Sequence, residues 1–190
     1  MEGGEVAHSQ KKWVEEGRTV LFVDESGFYL LPCVVRTWSP VGHRPVLREW
    51  VSRDHLSAIA GISEAGQLYL VQQEAAFDGE GVVRFLKHLL ERISGRLGIV
   101  WDAASIHRGE AVRQFLADGG AERIELAMLP SYSPNLNPAE GVWSYLKEVL
   151  LPNTICHNLS QLWHTLVDAV RRLQCDPDII KSCFQQPGCY

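Results

Sequence analysis

The chain has 190 residues, of which 46% are hydrophobic and 22% charged, with a formal net charge of −5. This is enough apolar chain for one domain with a sizeable core, and the negative balance argues against a stand-alone, high-affinity DNA-binding module. No apolar run approaches the ~18 residues that span a membrane, and Met1–His8 lacks a signal pattern, so a cytoplasmic protein with no membrane partner is expected. The 5 cysteines are odd in number and include no C-x-x-C pair, which excludes a disulfide framework. Cys156, His157, His164 and Cys175 match no standard zinc-finger spacing.

In chain order, residues 1–17 are polar and read as a linker or tail. Thr19–Glu25 alternates Val20, Phe22 and Asp24 against Leu21 and Val23, the pattern of a buried strand. Residues 26–45 carry turn-forming and aromatic residues and read as a long loop or irregular hairpin. Over 36–55, Arg36, Arg44, Arg48 and Arg53 outnumber Glu49 and Asp54, which suits either a surface for phosphates or a solvated basic loop. Residues 55–63 and 67–73 form two strand candidates joined by a tight turn at Glu64-Ala-Gly66.

A helix is predicted over 79–94, with Val82, Phe85, Leu86, Leu89, Leu90 and Ile93 at helical spacing. A strand over 97–102, a helix over 107–118 and a strand over 123–129 follow. Pro130–Pro138 is a proline-punctuated turn. Helices over 138–150 and 159–174 complete the pattern, and the last residues carry none. This order predicts an α/β fold, a mixed five-stranded sheet with helices on both faces.

Three acids are placed unusually. Asp24 and Asp102 each end an apolar strand, where Asp is depleted. Glu140 opens a helix whose N-cap is read as Asn137, with Pro138 first in the helix. Each has a plain alternative, a turn-forming Asp or a capping Glu. Ligand sites of α/β sheets lie at carboxyl ends of strands. If the first and fourth strands are parallel neighbours, Asp24 and Asp102 stand ~4.8 Å apart, a pairing that favours a cation between them. Oxygen donors suit Mg²⁺ or Mn²⁺. Glu25 points to the opposite face. His107 and Arg108 can contact phosphate or water, or simply sit at a helix start.

The segments Phe22-Val-Asp-Glu-Ser-Gly-Phe28, Arg36–Gly42, Trp101-Asp-Ala-Ala-Ser-Ile-His-Arg108 and Leu129–Glu140 resemble the catalytic domain of DDE transposases, in the mariner-related branch of bacterial insertion sequences. The resemblance covers residues 18–150 and implies a ribonuclease-H-like fold over 18–152. The helix and tail of 153–190 would pack on or follow it. It implies an Asp24, Asp102, Glu140 triad holding two Mg²⁺ or Mn²⁺ ions for DNA strand cleavage and strand transfer. Asn137, His107, Arg108, Arg36 and Arg44 are candidates for supporting or DNA contacts. Partners would be double-stranded DNA, both transposon ends and target, held by a dimer in the bacterial nucleoid.

The alternatives are another ribonuclease-H-like nuclease, or a non-catalytic remnant. Two departures stand out. Ala103 replaces the family's usual Asn, a supporting hydrogen-bond position, and the stretch 103–139 is a few residues longer than the commonest spacing. Family members also carry an N-terminal helix-turn-helix region that reads element ends. Residues 1–17 are therefore expected to be its tail, in a fragment, half of a split frame or a relic.

Overall fold

A computed structural model describes residues 3–31, 33–36, 38–43, 46, 52–130 and 136–185. Five strands form one sheet: β1 (Thr19–Tyr29), β2 (His55–Ile62), β3 (Leu68–Gln73), β4 (Leu97–Trp101) and β5 (Ile124–Met128), in the order β3-β2-β1-β4-β5. β1 pairs antiparallel with β2, and β2 with β3, whereas β1–β4 and β4–β5 are parallel. This is the mixed sheet expected. The tight β2–β3 turn holds Gly66 at φ +85°, where an added Cβ would also strike the Pro177 carbonyl.

Strand alternation divides the core. Leu21, Val23 and Ile59 face α2 (Gly79–Arg92) and α3 (Glu110–Ala117), joined by Phe85, Leu89 and Val112. Phe22, Phe28, Ala58 and Ala60 face α4 (Ala139–Tyr145), α5 (Leu159–Gln174) and α6 (Pro177–Cys183), joined by Trp143, Leu166 and Ile180. β4 is buried along its whole length because helices cover both its faces. Asp78 caps α2 by accepting from the Gly81 N–H at 2.7 Å, and Asn158 caps α5 by accepting from Gln161 N at 2.8 Å.

Several boundaries differ from expectation. Residues 3–15, read from sequence as a linker or tail, form helix α1 (Gly3–Glu15), anchored by the fully buried Trp13. The Trp13 ring lies flat against Gly98 of β4, where a Cβ would collide with it. Burial of one indole of this kind contributes roughly 5 kcal/mol before ordering costs. β1 runs on to Tyr29, because the start of β2 supplies partners as far as Tyr29↔His55. The helix expected over 107–118 is broken at Gly109 into a 3₁₀ turn, Ser105–Arg108, and α3.

The helix expected over 138–150 begins at Ala139 and widens into a π-turn, Leu146–Leu150, closed by the Leu151 N–H on the Leu146 carbonyl at 2.9 Å. The C-terminal stretch contains α6, with Pro177 in its first turn and Ile180, Cys183 and Phe184 buried. Phe184 meets Phe22 edge-on at 5.6 Å. Residues 153–185 thus pack on the sheet.

Candidate active site

Register decides how the acids meet. The parallel β1–β4 ladder pairs Phe22 with Val100. Two residues further along both strands lie Asp24 and Asp102, just past the last parallel pair; Asp102 follows the end of β4, whereas Asp24 lies within β1, which continues to Tyr29 against β2. Asp24 shares the face of Phe22, which is covered by α4, and Glu140 lies in the first turn of that helix. Trp143, one turn on, donates its indole N–H to Asp24 Oδ2 at 2.8 Å. Burial pushes the Asp24 carboxyl up to about 7; the Trp143 hydrogen bond opposes the shift, and the negative charges of Glu140 and Glu25 add to it. Asp24 and Glu140 therefore belong to one electrostatic unit, although residues 25–139 separate them in sequence.

Asp102 is held differently. Its Oδ1 accepts from Ala104 N at 2.9 Å, a local turn bond of the kind the plain reading anticipates, and lies 2.9 Å from His107 Nδ1. Half of its side chain stays exposed, at 54%. The His107 ring stacks on Trp101 with centroids 4.4 Å apart and planes 2° from parallel. Its Nε2 bonds Glu25 Oε1 at 2.8 Å. Burial alone would lower the imidazole pKa, but the Glu25 hydrogen bond and the charges of Glu25 and Asp102 together raise it. His107 is 2% exposed and committed to two carboxylates, which leaves it no surface for phosphate. It ties the end of β4 to β1.

The remaining candidates spread outward. Asn137 is buried and its Oδ1 accepts from Ala139 N at 3.2 Å, while its carbonyl receives the Glu140 N–H at 3.1 Å. It thus closes the entry to α4, one position off the expected cap. Glu140 itself is exposed. Arg36 and Arg108 are exposed, away from these hydrogen bonds. Arg44 lies outside the described residues, as do Arg48 and residues 131–135.

Lys147 was not singled out by sequence. From the π-turn it donates to Ser26 Oγ at 2.7 Å and lies 5.4 Å from the Phe28 ring centroid. It lines an apolar groove of about 390 Å³ with Phe28, Tyr29 and Leu151. Only a helical position one turn beyond Trp143 hinted at it.

Among the described residues, no three His, Cys, Asp or Glu side chains are gathered tightly enough to cage a metal. The donor chemistry nonetheless fits a hard divalent cation. Asp24, Asp102 and Glu140 offer only carboxylate oxygens, and among the described residues no cation is bonded to Asp24, which accepts from the neutral Trp143 indole.

Residues 19–163 match the family model described as DDE superfamily endonuclease. Comparison with curated protein sequences finds no match. Among solved structures, the Mos1 strand transfer complex aligns with a TM-score of 0.62 at 17% identity, covering 98% of this chain and 59% of that one. The mariner Mos1 paired end complex with Mg aligns at 0.63 and 16% identity, covering 98% and 60%. The catalytic domain of Mos1 mariner transposase aligns at 0.56 and 15% identity, covering 98% and 90%. At these identities the likeness concerns the fold, which is ribonuclease-H-like. The chain spans about six-tenths of the Mos1 chains in the two assemblies.

Proposed function

The chain belongs to the DDE superfamily endonucleases, and from that membership we propose that it is the catalytic domain of a DNA transposase that cleaves and transfers DNA strands with Mg²⁺ or Mn²⁺. The observation that supports this reading is the β1–β4 register: Asp24 and Asp102 each follow the last parallel pair, Phe22↔Val100, by two residues, and Glu140 opens the helix packed on the face of Phe22. Two bound cations would supply Lewis-acid charge to the phosphodiester and to the attacking water or 3′-hydroxyl. Asp24, Asp102 and Glu140 would hold them. Trp143 orients Asp24, and the His107–Glu25 pair keeps Asp102 at the end of its strand. Asn137 shapes the helix start that aims Glu140. Lys147, Arg36, Arg108 and Arg44 are the cations we assign to the DNA backbone.

The Mos1 complexes are DNA-transposition assemblies by name, and from them we take double-stranded DNA, element ends and target, and a dimer as this domain's partners. The bacterial insertion-sequence branch and a cytoplasmic, nucleoid-associated location belong to the same proposal. The test is Mn²⁺-dependent nicking and strand transfer on a plasmid bearing the repeats that flank the gene. Asp24→Asn, Asp102→Asn and Glu140→Gln should each abolish both reactions while leaving the fold intact by circular dichroism. Full activity in any one variant removes that residue from the site. A folded wild-type domain that neither nicks nor binds Mn²⁺ by calorimetry, with and without DNA, overturns the enzymatic reading in favour of a remnant.

A further inference from the structure

β3 ends the sheet, and its outer edge is built to receive another strand. The Ser63 N–H bonds the Gln67 carbonyl at 3.1 Å, so Ser63↔Gln67 is a hydrogen-bonded antiparallel pair. Alternation then makes Gly61↔Tyr69 and Ile59↔Val71 hydrogen-bonded pairs as well, and turns the N–H and C=O of Leu68, Leu70 and Gln72 away from β2. The side chain of Gln174 confirms that direction by donating to the Leu68 carbonyl at 2.9 Å. Leu70 and Gln72 have no main-chain partner on that side among the described residues.

The edge is the floor of a groove of about 690 Å³ between α2 and α5. An orphan acceptor lies in it. Gln72 is only 9% exposed, its Oε1 has no donor, and its Nε2 reaches just the Trp163 carbonyl at 3.4 Å. The rim is basic: His88 and Arg92 rise from α2 and Arg171 from α5. The groove lining contains no acid. Asp168, 3.6 Å from Arg171, is the acid paired with that rim. Half-buried Leu70, Val71 and Val167 supply apolar seats for alternate side chains.

We propose that this edge is a docking site for an extended acidic peptide of a partner protein, added to β3 as a sixth strand. Main-chain hydrogen bonds to Leu70 and Gln72 would give affinity, and the basic rim would choose acidic over basic sequences. β3 stands two strands from β1, so the site is separate from the carboxylates and does not rest on the catalytic proposal.

The probe is a blocked peptide of about eight alternating Glu and Val residues, long enough to cover a typical strand, with the Lys-Val equivalent as control. Binding of the Glu-Val peptide should slow amide exchange at Leu70 and Gln72 and shift their resonances. Leu70→Pro deletes one outward N–H at an edge position that tolerates proline, and should abolish binding. Arg92→Glu with Arg171→Glu, which cannot break the ladder, should weaken Glu-Val binding about tenfold and reverse the preference. Equal affinity for both peptides, or shifts elsewhere only, overturns the proposal. Protection of Leu70 and Gln72 that grows with protein concentration in the absence of peptide also overturns it, in favour of edge-to-edge pairing of two copies.

Discussion

Asp24→Asn offers a direct physical test of the site, because a carboxyl whose pKa is raised by burial must make the fold sensitive to pH. The carboxyl rises from 3.8 to about 7 on folding. A raised carboxyl binds more protons in the folded than in the unfolded state, so its stabilising contribution is full below pH 3.8 and is lost as pH rises to 7 and beyond. Between pH 5 and pH 8 the two titrations give a loss of roughly 2–3 kcal/mol from this one group. The Asn variant carries no such charge, and its amide oxygen can still accept the Trp143 N–H. Urea denaturation in EDTA at the two pH values should therefore show the wild type losing roughly 2–3 kcal/mol more than Asp24→Asn. Every other group, including His107, is common to both chains and cancels. Excess Mg²⁺ at pH 8 should restore stability to the wild type and do little for the variant. Parallel stability profiles for the two proteins in EDTA would refute the claim that Asp24 is a strained, uncompensated charge.

Other residues give further tests. Trp143→Phe keeps the ring but removes the donor that favours ionised Asp24, so the acid limb of the pH–rate profile should move to higher pH, by up to about one unit. His107→Ala should cost about 1.5–3 kcal/mol at pH 6, the value of a hydrogen bond to a charged group. Because the imidazole pKa is raised, that cost should shrink as pH rises through the folded value, as read by denaturation. Gly98→Ala drives a methyl into the Trp13 ring and should cost about 1–3 kcal/mol, with a red-shifted tryptophan emission as α1 lifts from the sheet.

What sequence reveals here depends on range. The alternation of Leu21 and Val23 against Phe22 and Asp24 is a period-two signal within a few residues, and it places the strand and the face of Asp24 correctly. The periodic face of α2 and its Asp78 cap are equally local. The His107–Glu25 and Trp143–Asp24 bonds join residues 82 and 119 positions apart, and no local pattern encodes such pairs. Helix α1 carries only Val6, Ala7, Trp13 and Val14 as apolar side chains, and its largest docking contact is one indole fitted to one glycine of a distant strand. Helix α6 is only 7 residues long, too short for its apolar face to stand out as a period.

The adjacent acids Asp24 and Glu25 show how one strand end assigns two carboxylates to different tasks. Alternation sends Glu25 towards the α2–α3 face, where His107 meets it at 2.8 Å and its charge has a titratable cation as partner. The same alternation sends Asp24 to the α4 face, where the neutral Trp143 indole donates to it and the charges of Glu140 and Glu25 raise its pKa further. A structural carboxylate is stabilised when the fold supplies its counter-charge, as it does for Glu25. At Asp24 the fold withholds that charge and adds a second acid, which lowers stability at neutral pH unless a cation arrives from outside. The conflict lies where the parallel β1–β4 pairing ends, the region in which an α/β sheet places its ligands, and this makes Asp24 the residue around which the proposed metal site is organised.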